Sequence, residues 1–103
     1  MKKTNDAEHN TYAMAIAEVV TNFLNDCESG NENAVNDATD VLTKKFSLDI
    51  QQKAAMKVIL SHMELAVHNI ADGETLSHWV GLNVNIMARI AVKDWQDVID
   101  RLN

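Results

Sequence analysis

The run from Leu48 to Asp72, LDIQQKAAMKVILSHMELAVHNIAD, sets the tightest limit on how this chain folds. At about 100° per residue, Ala55, Met56, Ile59, Leu60, Met63, Ala66, Val67 and Ile70 share one arc roughly 140° wide. Ser47 ahead of it and Gly73 behind it read as a helix start and stop. Lys57, Ser61, Glu64 and His68 line a polar side. Val58 and Leu65, seven residues apart, fall on a side that the main arc leaves uncovered. A helix with one wide apolar face and a second, narrower one touches neighbours on two sides. Residues 48–72 are therefore expected to form the central helix of a small bundle, or a helix shared with a second copy of the chain. Burying Val58 and Leu65 would stabilise such an assembly by roughly 1.5–3 kcal/mol each.

The rest of the chain supports an all-α reading. It holds no proline and only three glycines, so little interrupts a helix. Short alternating runs of β-branched and aromatic residues, the strand signal, are absent. Asp6 to Cys27 reads as a first helix, with Tyr12, Ile16, Val19, Val20, Phe23 and Cys27 recurring at three and four, and Gly30 suits its stop. Glu32 to Phe46 reads as a second, with Val35, Ala38, Val41, Leu42 and Phe46 as its stripe and Lys44 and Lys45 at the negative end of its dipole. After Gly73, Thr75 or Ser77 can cap a last segment, Leu76 to Leu102, whose later stripe is Met87, Ala91, Trp95, Val98, Ile99 and Leu102. Lys93 with Asp97, and Asp97 with Arg101, are one-turn charge pairs there. Gly81 either sits at a close helix crossing or breaks this segment in two, and the break is the favoured reading. The expected fold is a single all-α domain, residues 1–103, a bundle of four principal helices with a fifth if Gly81 breaks the last.

Charge is unevenly placed. The first part of the chain carries the whole net −6: Asp6, Glu8, Glu18, Asp26, Glu28, Glu32, Asp37 and Asp40 fall between Lys3 and Lys44 with no basic residue among them. From Lys44 onward seven basic and seven acidic residues cancel. A helical surface with carboxylates and no lysine resembles a phosphate array, and would attract basic partners such as nucleic-acid-binding proteins. Asp26, Glu28, Glu32, Asp37 and Asp40 are the candidate contacts on that surface; its plainer reading is a solvated outer face. Trp79, after Ser77 and His78 at a helix start, is a candidate interface anchor or a core residue.

Thr75 to Ala91, TLSHWVGLNVNIMARIA, has the pattern of a helix-turn-helix. Leu76 and Val80 would pack within the first helix, Gly81 would take the turn, Leu82 would point inward, Asn83 would cap the second helix, and Met87 and Ile90 would be buried. In a DNA-binding version Val84, Asn85, Ala88 and Arg89 would face the groove, and Asn83, Asn85 and Arg89 are the candidate contacts. Asp94 and Asp97 oppose that use, because a phosphate backbone demands positive charge.

Catalytic and metal readings find little. Glu64 and His68 are four apart rather than in the Glu-x-x-His spacing of paired metal-site helices, no HExxH run occurs, and His62 and His68 lie about 120° apart around a helix. Cys27, alone, permits no internal disulfide or thiolate cluster, and His9 is too far along the same helix to serve it as a base. The glycines are isolated, which excludes a phosphate-binding loop. Neither a signal peptide nor a membrane span is visible, so the expected location is the cytoplasm. Taken together these features lead us to expect a small acidic non-enzymatic interaction module without cofactor or metal. It would be a homodimer through Val58 and Leu65, and a regulator or inhibitor of a basic protein partner. The alternative is a DNA-binding regulator with its helix-turn-helix at residues 75–91.

Overall fold

The computed structural model describes residues 6–93, with side chains from Asn10 onward. Four helices follow one another: α1 (Asp6–Glu28), α2 (Ala34–Phe46), α3 (Ile50–Asn69) and α4 (Gly73–Ala91). No strand occurs among the described residues. Connections this short leave each helix antiparallel to the one before it. Each packs on its chain neighbours and α4 closes back on α1, so α1–α3 is the sparser diagonal of a four-cornered bundle. The residues Trp95, Val98, Ile99 and Leu102 and the pairs through Asp97 lie outside the described residues.

The core is drawn from all four corners. Ile16, Val20 and Phe23 come from α1, Leu42 from α2, Met56, Leu60 and Met63 from α3, and Met87 and Ile90 from α4, each at most 2% exposed. Fully burying a side chain of this kind is worth about 1.5–3 kcal/mol. Tyr12 and half-buried Phe46 close the start of α1 over the end of α2, ring centroids 5.0 Å apart. Three of the methionines within helices fill the core, while Met14 is 75% exposed.

Several helix ends have an identifiable cause. Gly30, at φ 83°, stops α1, allowing the Gly30 N–H to donate to the Cys27 carbonyl and the Asn31 N–H to the Asp26 carbonyl. Ser47 does not start α3. It ends α2 in the left-handed conformation at φ 53°, its N–H donating to Thr43 O. The start of α3 is instead Asp49, whose carboxylate accepts from the Gln52 N–H at 2.8 Å while Gln52 Oε1 accepts from the Asp49 N–H at 2.9 Å. This reciprocal pair satisfies two donors that the helix itself cannot. Gly73 likewise does not end α3, which stops at Asn69 with Ile70 extended; Gly73 is the first residue of α4. Asp72 caps α4, accepting from the Glu74 N–H at 3.2 Å and the Thr75 hydroxyl at 2.6 Å.

Two expectations are overturned. Gly81 neither breaks the last segment nor marks a close crossing, for α4 runs through it unbroken over 19 residues. A Cβ at Gly81 would meet nothing within 4 Å, so the position is an exposed helix interior that any good helix former could fill. There is then no fifth helix from a break, and no helix-turn-helix at residues 75–91; Leu82, which that motif would bury, is 47% exposed. The second correction concerns α3. It is one corner of the bundle rather than its centre, contributing one buried face of Gln52, Met56, Leu60, Met63 and Ala66. Its second flank is uncovered by the other helices: Val58 is 55% exposed and Leu65 60%.

Candidate partner-binding site

The acidic first half does not form one surface. Successive residues turn by about 100°, so Asp26 and Glu28 leave α1 on nearly opposite sides. Glu32 stands in the turn between helices, and Asp40 is exposed on α2. Asp26 and Asp37 are the pair the fold brings together. They stand on the rim of a groove of about 100 Å³ between α1 and α2, whose floor is Val19, Phe23 and Ala38. Asn22 and Val41 complete its walls, and Val41 is 49% exposed. The Asn31 side-chain amide donates to Asp37 Oδ2 at 3.4 Å, tying the interhelix turn to that rim.

The groove lies where an apolar row of α1, Val19 and Phe23, beside a polar row, Asn22 and Asp26, meets Asp37, Ala38 and Val41 of α2. Val19, Asn22, Phe23 and Asp26 recur at three and four along α1, and Asp37 and Val41 are one turn apart on α2. At about 100 Å³ the groove is well below the ~300–1,000 Å³ of small-molecule sites. Its apolar floor and two rim carboxylates are what an apolar stem with a cationic head would meet there. Asp26 and Asp37 were legible as candidates from charge alone. Their pairing, and the use of Val41 at the rim, depend on how two helices meet and so escape a single-helix reading.

The second surface lies on α3. Val58 and Leu65 are joined there by Ile50, 87% exposed, and by exposed Ala54. With half-buried Ser61 these fall within about 40° of the direction pointing straight away from the core. Ile50 and Ala54 are the missed members of this stripe; counting back from Val58 in steps of four would have found them. Trp79 is half-buried and packs against the core, which is the plainer of its two readings.

The candidates for reading DNA are dispersed. The Asn83 side-chain amide donates to the Trp79 carbonyl at 2.8 Å, and Asn85 lies about 200° away around α4. Arg89 is half-buried on the side of Asn85. Cys27 is 4% exposed, and burial pushes its thiol up to about 11, with the carboxylates of Glu64, Asp26 and Glu28 adding to the effect. Such a thiol stays protonated and packs as a small apolar group. Among the described residues no group of three or more His, Cys, Asp or Glu side chains could hold a metal ion. No described helix is long and apolar enough to cross a membrane. Comparison with protein-family models, with curated proteins and with solved structures finds no match to this chain.

Proposed function

We propose that this protein is a small non-enzymatic interaction module, a regulator or inhibitor that receives a basic segment of a partner protein in the α1–α2 groove. One observation carries the reading: Asp26 and Asp37, from different helices, flank a single cleft with an apolar floor. A lysine or arginine reaching in would lay its methylenes on Val19, Phe23 and Val41 and its charge between the two carboxylates. The net charge of −6 would draw a basic partner from a distance and raise its association rate. Self-association through Val58 and Leu65 belongs to the same proposal, because a second copy would cover apolar surface that the bundle leaves in water. Use as a DNA-binding regulator draws little support from these residues: Asn83 is turned away from Asn85 and Arg89, its amide tied to the Trp79 carbonyl, and Arg89 is half-buried.

The test is a titration of isotope-labelled protein with a synthetic peptide of alternating arginine and leucine, followed by amide chemical shifts. Shifts should centre on Val19, Phe23 and Val41, vanish in Asp26→Asn/Asp37→Asn and persist in Glu28→Gln/Glu32→Gln. Equal losses in the two variants would reduce the interaction to diffuse charge and overturn the groove. Retention on nonspecific duplex DNA with a steep salt dependence would favour the DNA-binding alternative instead.

A further inference from the structure

We infer that two copies of this chain pair through α3 in antiparallel orientation, crossing at Ser61. This rests on the self-association proposed above and adds its geometry. Between Ile50 and His68 at its two ends, the outward face of α3 alternates small and large residues, Ala54, Val58, Ser61 and Leu65, at spacings of four, three and four. That is the spacing of a helix–helix seam, in which large side chains of one helix enter the gaps beside small ones of the other. The Ser61 hydroxyl donates to the Lys57 carbonyl at 2.8 Å, so it brings no unsatisfied donor to a contact.

Charge selects the occupant and its direction. Lys53, Lys57 and Glu64 lie along one flank of this face, within about 40° of one another, with the lysines toward the N-terminal end and the carboxylate toward the C-terminal end. In an antiparallel pair related by a two-fold axis each flank meets the same flank of the other copy, run in reverse. With the axis at Ser61, Lys57 of each copy stands opposite Glu64 of the other, and Leu65 enters between Ala54 and Val58 of the other. In a parallel pair the basic flank would instead meet the opposite flank, Gln51, Ala55, His62 and Asn69, which holds no carboxylate. The antiparallel arrangement matches opposite charges while burying Ala54, Val58, Ser61 and Leu65; Ile50 lies beyond the end of the partner's α3.

The experiment is sedimentation of the parent protein together with oxidative cross-linking of Ser61→Cys and Ala54→Cys. Cys27 is buried, so the introduced cysteine is the accessible thiol in each variant. A parent that sediments as a dimer, with Ser61→Cys cross-linking and Ala54→Cys not, is the expected result, since the two Ala54 positions would be about 20 Å apart along the seam. Equal cross-linking of both variants means a parallel pair and overturns the inference. A dimer in which neither cross-links uses another surface, which overturns the geometry and leaves self-association standing. A monomeric parent overturns both. As a second readout, Lys57→Glu and Glu64→Lys should each weaken the dimer about ten-fold and together restore it; a double variant as weak as either single one would remove the charge pairing.

Discussion

The side-chain amide of Gln52 donates to the carbonyl of Ile90 at 2.9 Å and to that of Ala91 at 3.3 Å, so one buried residue at the start of α3 caps the end of α4. Its oxygen simultaneously accepts from the Asp49 N–H, which leaves every polar atom of a 2% exposed side chain satisfied. Gln52→Met keeps the length and removes one partner each from the Ile90 carbonyl, the Ala91 carbonyl and the Asp49 N–H. It should cost about 1–3 kcal/mol in urea unfolding with an unchanged slope. A variant as stable as the parent would mean that these bonds do not hold the two helix ends together.

Replacing Gly81 by alanine should stabilise the protein by about 1 kcal/mol, because the position is an exposed helix interior with open space at Cβ. Thermal unfolding would register this as a rise of about 4–8 °C. A fall would restore the idea of a turn at Gly81.

The acid limb of stability should depend on Asp49 and Asp72. The Gln52 N–H and then the Lys93 ammonium, 3.1 Å away, hold the Asp49 carboxyl below its ordinary 3.8. The Thr75 hydroxyl and then the Glu74 N–H do the same for Asp72. For groups lowered on folding, the stabilisation is complete above 3.8 and is lost as pH falls through the lowered values. Unfolding followed from pH 6 down to about pH 2 should therefore steepen in that lower range, and Asp49→Ala should flatten part of the slope. An identical pH profile in the variant would show that this carboxylate is not linked to folding.

Cys27 should resist thiol reagents in the native protein at mildly alkaline pH, since its thiol is buried and pushed up to about 11. Labelling should proceed only as fast as the bundle opens, and addition of urea should accelerate it in step with unfolding. Rapid modification of the folded protein would place this thiol at an accessible site.

Much of the bundle was legible because its signals are local. The arc from Ala55 to Ile70 emerges as the core side of α3, with Met56, Leu60 and Met63 fully buried. The stripes of α1 and α2 place Ile16, Phe23, Ala38 and Leu42 correctly. Helix ends were read less well where two caps competed: Ser47 and Asp49 are both good caps, and the Asp49-x-x-Gln52 spacing decides between them. Gly81 misled because glycine has two uses, and only the space around it shows that neither applies. For the binding surfaces, charge identified Asp26 and Asp37 separately, while their meeting in one groove depends on the packing of α1 on α2. Val58 and Leu65 signalled an apolar flank, but whether a neighbouring helix covered it was a question of topology.

The closure of α4 onto α1 also bears on how the protein is made. Early helices leave the ribosome with the side of α1 that packs on α4 still lacking its counterpart. At about 5–20 residues per second, a nascent chain therefore spends seconds with that face open to chaperones or to neighbouring chains. Folding in the cell is in this sense post-dated: α1 can rest on α2 early, but its pairing with α4 must wait until α4 has been translated.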